Sequence, residues 1–489
     1  MGRLRGMALG SLGAAIFVPH LVGLGYHPFS FEVLFWLFGA GGAFFLLGWL
    51  SPWFVFVFLG FMATFWLVDS YFVESGDTPQ GIIVALFLGF IALFGGLAFA
   101  QRTILPLACI AFSLVFIFPS FFSFPPPVLV KTETEWQAPA ISGEPDVAFI
   151  YLILDEQMSL EALPETLGET GLADQLYSGY LKSGFQIQSL AMANSTNTFR
   201  SVGAIFGLTE DTENFQKRQG EKYSYVVNEN TLVPGLQEAG FTVSIIESNF
   251  LELCDPIAAM SCETYTRGSN MGVMASLGWD LAKRIRISGI ALHQDYFFYD
   301  HRVNMYRQAV KYFAERSGKA KPRSFGFFSR PLVNVEIFED IAERAALLER
   351  GDALIVHLML PHFPYVLDEN CDLKDVADWE YPIRHDEGAE LTEVYEGFWE
   401  QTHCTHKLVE PILDAVKDRD DIVAVVHGDH GSRISKGTEQ ENELDLLSTF
   451  LAIKSPLREA EKLDGSVSLQ AEIIDFFYED LKLSSAAKN

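Results

Sequence analysis

Val147-Ala148-Phe149-Ile150-Tyr151-Leu152-Ile153-Leu154-Asp155-Glu156 is an unbroken apolar run that ends in two carboxylates. A short run of strand formers with no polar alternation predicts a central parallel strand buried on both faces. Open α/β sheets place their ligand sites beyond the carboxyl ends of such strands, which makes Asp155 and Glu156 the first candidate site residues. Further apolar runs predict strands at Thr242 to Ile246, Ala353 to Leu360, Ile422 to Val426 and Thr449 to Ile453. Helical patterns lie between them, at Glu161 to Tyr180, Leu232 to Ala239, Asn334 to Glu349, Leu391 to Lys417 and Leu469 to Leu481. The alternation predicts a doubly wound α/β domain covered on both faces.

A second strand end carries the strongest chemical signal. Ile422 to Val426 runs into His427-Gly428-Asp429-His430-Gly431-Ser432-Arg433, where glycines flank a carboxylate and an imidazole. Glycine permits a sharp turn and a close approach, while Asp429 and His430 offer the oxygen and nitrogen donors that zinc and manganese accept. An isolated Asp-His pair is more often a polar turn. The rest of the chain shifts that balance. Asn194-Ser195-Thr196-Asn197-Thr198-Phe199-Arg200-Ser201 packs four hydroxyls in front of the helix-like run Val202 to Leu208. Helix caps explain one or two of these hydroxyls. A hydroxyl at a helix start beside a divalent cation has the makings of a nucleophile, because the exposed amides there favour a phosphate. His362, in Pro361-His362-Phe363-Pro364-Tyr365, sits at a third strand end; a lone histidine there is more often a satisfied structural residue, and the functional reading has it bind a phosphate or protonate a leaving group.

Composition divides the 489 residues in two. Up to residue 130 the only charged residues are Arg3, Arg5, Arg102, Glu32, Asp69, Glu74 and Asp77. Met7 to Tyr26, Phe31 to Leu50, Trp53 to Val73, Gly81 to Ala100 and Ile104 to Phe122 each approach the length of a membrane-spanning helix. Five spans with Arg3, Arg5 and Arg102 on the cytoplasmic side put everything after Phe122 outside the cytoplasm. The expected organisation is a transmembrane domain over 1–124, a proline-containing linker over 125–145 and an extracytoplasmic catalytic domain over 146–489. No residue in the spans looks like an ion pathway, so they read as an anchor.

The formal net charge of −28 argues against a nucleic-acid surface. Met271 to Arg323 departs from this balance as a helical, more basic insertion, read either as a solvated cover or as a surface close to anionic lipid headgroups. Cys109 falls in an apolar run, and the remaining cysteines allow two disulfides, most naturally Cys254 with Cys262 and Cys371 with Cys404.

Taken in order after the apolar spans, Asp155-Glu156, Thr198-Phe199-Arg200-Ser201, Pro361-His362-Phe363-Pro364-Tyr365 and Gly428-Asp429-His430-Gly431 resemble the sulfatase-like branch of the alkaline phosphatase superfamily. The layout is similar to that of the lipid A phosphoethanolamine transferases and lipoteichoic acid synthases. The resemblance implies a divalent metal, zinc first and manganese or magnesium as alternatives. Its ligands would be Glu156, with Asp155 as the second candidate, together with Asp429, His430 and Thr198. Thr198 matches the family's nucleophile, with Ser201 at the expected spacing and Ser195 and Thr196 as fallbacks. His362, Arg200 and Arg433 are then expected to face the substrate. The implied reaction moves a phosphoethanolamine or phosphoglycerol headgroup from a membrane phospholipid to an envelope glycan or glycolipid, at a bacterial inner membrane. A sulfatase-like hydrolase and an inactive envelope scaffold are the alternatives. Gly203 stands where many relatives have proline, and Ser432-Arg433 replaces the usual Glu-Ser. Thr196-Asn197-Thr198-Phe199-Arg200 lacks the Cys or Ser and the proline needed for formylglycine, which ranks sulfate-ester hydrolysis below phosphoryl transfer.

Overall fold

The computed structural model describes residues 2–50, 89, 104–122, 129–132, 144–162, 170–218, 224–254, 261–265, 280–292, 329–375, 378–380 and 390–483. It divides into two compact units. One contains residues 1–127 and 268–326, the other residues 128–267 and 327–489.

Among its described residues the second unit has twelve strands: β1 (Leu129–Thr132), β2 (Ala148–Leu154), β3 (Gln186–Met192), β4 (Phe215–Lys217), β5 (Tyr225–Val227), β6 (Thr242–Ser248), β7 (Leu251–Glu252), β8 (Ser261–Tyr265), β9 (Asp352–Leu358), β10 (Ile422–Gly428), β11 (Ser448–Lys454) and β12 (Lys462–Ser468). Nine of them form one mixed sheet in the order β1-β8-β6-β9-β2-β10-β11-β3-β12, and β4, β5 and β7 form a small second sheet. β2 pairs in parallel with β9 on one side and β10 on the other, and each of its residues is buried. This is the position its unbroken apolar run predicts. Parallel pairing also aligns the carboxyl ends of β2, β9 and β10, and these are the ends that carry the candidate site residues. β11 is antiparallel to both β10 and β3, so the sheet is mixed rather than wholly parallel.

Alternate residues of β2, Phe149, Tyr151 and Ile153, enter a core cluster with Val202, Ile205 and Phe206 of the helix Thr198–Phe206 and Ile473, Phe476 and Phe477 of the helix Leu469–Glu479. Each such fully buried side chain contributes about 1.5–3 kcal/mol of apolar transfer. The cluster therefore fixes the helix that begins at Thr198 against the central strands. Leu129–Thr132, within the expected linker, is an edge strand antiparallel to β8. Disulfides join Cys254 to Cys262 and Cys371 to Cys404, while Cys109 is free and buried.

In the first unit the helices Gly2–Gly23 and Phe31–Leu50 are long and apolar enough to cross a membrane. They pack closely because glycines face each other: a Cβ on Gly10 would lie 2.8 Å from the Gly41 carbonyl oxygen, and one on Gly48 2.8 Å from that of Arg5. Small residues at such a seam let two backbones approach. A third apolar helix, Ile104–Ser120, has 17 residues. The expected spans Trp53 to Val73 and Gly81 to Ala100 lie outside the described residues.

Candidate active site

Two carboxyl-terminal strand ends are bound together by a side chain. Leaving β2, the chain turns at Glu156, whose φ of 65° is in the left-handed region that residues other than glycine seldom adopt. The turn aims the Glu156 backbone N–H at Asp429 Oδ1, 2.9 Å away. Asp429 Oδ1 also accepts from the N–H of His430 at 2.9 Å. Glycine is required on both sides of this pair: a Cβ on Gly428 would stand 1.9 Å from the Gln157 carbonyl oxygen, and one on Gly431 2.1 Å from that of Asp445. Neither neighbour is a movable side-chain tip. Gly428→Ala is accordingly expected to cost about 3 kcal/mol or more, visible as a lower melting temperature with the β2–β10 junction displaced.

Thr198 opens the helix Thr198–Phe206, and its side chain is buried against both strand ends. Its Oγ1 lies 3.4 Å from Asp155 Oδ1 and 3.2 Å from His430 Nε2. Ser201, one turn along, donates from Oγ to the Asp429 carbonyl oxygen at 2.6 Å and accepts from Gln470 Nε2 at 2.8 Å. The Thr-x-x-Ser spacing thus has a mechanical meaning: the second hydroxyl holds the first against the Asp429 turn. Gln470 completes this brace by accepting from the Asn194 N–H at 3.1 Å.

The fit to a cation can be judged from the donors. His430 Nδ1 lies 2.8 Å from the Gly431 carbonyl oxygen, so that nitrogen carries the proton and Nε2 presents its lone pair inward. That lone pair faces Asp429 Oδ2 at 3.2 Å, a carboxylate oxygen with no hydrogen-bond partner although it is fully buried. Two acceptors at this distance repel unless a proton or a cation lies between them. Asp155 adds a third acceptor, and ligand atoms of Asp155, Asp429 and His430 all lie within 4.8 Å of one another. Burial, and after it the neighbouring Asp155 charge, pushes the Asp429 carboxyl up to about 8. Burial, and then Arg433, holds the His430 imidazole well below its ordinary value, which leaves it neutral and able to coordinate. The set fits a divalent ion, and a nitrogen donor beside two carboxylates suits zinc or manganese better than magnesium.

The other sequence candidates occupy a ring around this cluster. Glu156, placed first among the ligands by the resemblance, points its carboxylate to Arg433: Oε1 accepts from Arg433 Nε at 2.9 Å and is also engaged by Nη2. Oε2 accepts from the Phe363 N–H at 3.3 Å. Asp155, the second candidate, is the carboxylate whose oxygens lie beside Thr198 and His430. His362 projects from the turn after β9 with Nε2 3.7 Å from Glu156 Oε1. Arg433 further donates from Nη1 to the Thr196 carbonyl oxygen at 2.9 Å. Arg200 turns elsewhere, pairing with Glu213 and lying 5.1 Å over the Phe215 ring. Of the fallback hydroxyls, Ser195 accepts from the Asn197 N–H and Thr196 accepts from Lys436 Nζ.

Three residues escaped the sequence reading. His357, at the end of β9, is buried with Nε2 3.7 Å from Asp155 Oδ2. Gln470 begins a helix about forty residues beyond the Asp-His motif, and nothing in its neighbourhood marks it. Asp445 is a buried carboxylate that accepts from Ser432 Oγ, from Ser435 Oγ at 2.7 Å and from the Ser435 N–H at 2.8 Å. It shapes the turn that delivers Arg433.

No family of known sequences matches the chain, and no curated protein does. Among solved structures it is similar to the soluble domain of lipooligosaccharide phosphoethanolamine transferase A from Neisseria meningitidis, at 11% identity and a TM-score of 0.38, covering 72% of this chain and 90% of that one. It is also similar to a 2-O GAG sulfatase, at 12% identity and a TM-score of 0.43, covering 70% and 71%. The phosphonate monoester hydrolase of Agrobacterium radiobacter is a third such structure, at 11% identity and a TM-score of 0.40, covering 69% and 74%. Likeness at this level assigns no residue a role, so the chemistry is read from the side chains of this chain.

Proposed function

We propose that this protein is a metal-dependent phosphotransferase of sulfatase-like type, moving a phospho-headgroup from a membrane phospholipid to a hydroxyl of an envelope glycan or glycolipid. The observation that carries this reading is the position of Thr198 Oγ1, 3.2 Å from His430 Nε2 and 3.4 Å from Asp155 Oδ1 at the first residue of a helix. Asp155, Asp429 and His430 would hold the divalent ion, with Thr198 at its edge. A cation there supplies charge neutralisation and lowers the pKa of a hydroxyl beside it.

Thr198 is the nucleophile. Its Oγ1 forms a bond to phosphorus as the bond from phosphorus to the diacylglycerol oxygen breaks. The proton lost from Thr198 is balanced by the one gained by the leaving diacylglycerol, and its delivery is assigned to His362. The helix start favours the phosphate through its free backbone N–H groups. Arg433 holds Glu156 and the Thr196 carbonyl, keeping the wall beside the nucleophile in place. An acceptor hydroxyl oxygen then bonds to the same phosphorus as the bond from phosphorus to Thr198 Oγ1 breaks, and the proton lost by the acceptor balances the one Thr198 regains. The apolar helices of the first unit would anchor the chain in a bacterial inner membrane, with the α/β unit on the extracytoplasmic side.

Acceptor dependence tests the transfer. Incubation with a headgroup-labelled phospholipid is expected to release little free headgroup until a glycolipid acceptor is added, and then to label the acceptor. Equal release of free headgroup with and without acceptor would make the protein a hydrolase using water at the same threonine.

A further inference from the structure

A cavity of about 200 Å³ lies between the helices Thr170–Lys182 and Leu391–Val416 of the α/β unit, and it shares no residue with the cluster at Thr198. His403 and His406 line it from the second helix. Residues three apart on a helix stand on one face, so the two imidazoles are neighbours there. His406 is 2% exposed, and its Nε2 has no hydrogen-bond partner among the described residues. His403 Nδ1 is buried and unpartnered in the same way. A polar atom shut away from solvent without a partner is costly. The second nitrogen of His406, Nδ1, lies 3.0 Å from Tyr180 Oη. Rings of Tyr180 and Phe450 meet the imidazole nearly edge-on, with centroids 5.6 and 5.1 Å away, and fix its plane. Burial, and after it the neighbouring His403, lowers the His406 imidazole to about 3, which leaves it neutral. With Nδ1 donating to Tyr180, Nε2 keeps a lone pair for the cavity that the ring lines. This is the state in which histidine binds a metal, with its other nitrogen held by a neighbouring group.

The surroundings favour a cation. The disulfide Cys371–Cys404 ties a loop to the helix between the two histidines, and this loop brings Glu369 to the cavity wall. Asp368 Oδ1 braces the loop from within, accepting from the N–H groups of Asn370 at 2.9 Å and Asp372 at 2.8 Å. Glu410, four residues beyond His406, lines the same cavity and is exposed. Residues four apart share a helix face, and an exposed carboxylate can turn toward an ion held by the two rings. Glu369 and Glu410 outnumber Lys407 among the charged residues of the lining. Nitrogen donors joined by a carboxylate suit zinc and its first-row neighbours rather than magnesium or calcium, which take oxygen.

We propose that His403 and His406, with Glu410 as the third ligand, form a second divalent-metal site of the zinc class, separate from the cluster at Thr198. Two imidazoles and an exposed carboxylate hold an ion less firmly than the buried donors beside Thr198, so this ion exchanges during gel filtration and is counted at equilibrium. The test uses the full chain carrying Asp429→Asn, in which the ion beside Thr198 is lost, titrated with zinc chloride in a calorimeter. Uptake of about one zinc per chain is expected. His403→Gln and Glu410→Gln, added singly to that chain, should each weaken the uptake at least about tenfold. His406 stays in place, because removal of a fully buried ring would mix binding with folding. No uptake of zinc, or uptake equally tight in both variants, would overturn the proposal. The readout needs no turnover, so failure of the transfer reading would leave it unchanged.

Discussion

Thr198→Ala is expected to lower headgroup transfer by on the order of 10³-fold or more while leaving the fold and the metal content in place. The hydroxyl is buried, and its contacts with His430 and Asp155 are long, 3.2 to 3.5 Å, so its loss removes little packing or hydrogen bonding. The helix it starts is anchored by other groups: Ser201 on the Asp429 carbonyl, Gln470 on Ser201, and Val202, Ile205 and Phe206 in the core. Melting temperature and bound metal measured beside activity separate this from a folding defect. Thr198→Ser should recover part of the rate, whereas Ser195→Ala and Thr196→Ala should each retain most of it. Loss of activity in either of these, with Thr198→Ala active, would move the nucleophile.

Asp429→Asn has the second largest expected effect, and its sign differs between function and stability. Asn keeps an oxygen where Asp429 Oδ1 accepts the N–H groups of Glu156 and His430, so the junction of the two strand ends survives. At the Oδ2 position the amide nitrogen of Asn would donate to His430 Nε2, 3.2 Å away, a hydrogen bond that Asp429 can form only when protonated. Metal-free protein should therefore melt no lower than metal-free wild type. Bound metal, read by elemental analysis after gel filtration, should fall from about one ion per chain to near zero, and transfer should fall with it. An unstable variant that still holds metal would contradict the ligand assignment. Cases in which removing a ligand stabilises the apoprotein arise where carboxylates are gathered for a cation rather than for the fold.

How much was legible in the sequence depended on how each residue acts. β2 and β10 were visible because strands covered on both faces are continuously apolar, and their ends carry polar residues that no core would tolerate without a task. β3 alternates buried and half-buried residues, Gln186-Ile187-Gln188-Ser189-Leu190-Ala191-Met192, and β12 is a largely exposed edge strand, so neither stands out as a run. The glycines around Asp429-His430 were read as permitting a turn. Their stronger reason, backbone atoms of Gln157 and Asp445 within about 2 Å of any added Cβ, is a tertiary contact and leaves no local trace. The order of Asp155 and Glu156 was likewise undecidable from two adjacent carboxylates. The left-handed turn at Glu156 sends one side chain to the Thr198 cluster and the other to Arg433. Arg200 looked like a phosphate fork by type alone, and its engagement with Glu213 and Phe215 shows that residue type without direction is weak ground for a substrate contact.

The central claim is a covalent headgroup on one threonine, and mass spectrometry tests it most directly. The full chain is incubated with a divalent metal and either phosphatidylethanolamine or phosphatidylglycerol, quenched in acid, and examined as intact protein and as peptides. A phosphodiester adduct is predicted on the peptide containing Thr198, its mass identifying the headgroup, and it should be absent from Thr198→Ala. A metal-loaded protein that turns over its lipid with no adduct on Thr198, or with an adduct that persists in Thr198→Ala, would contradict the mechanism.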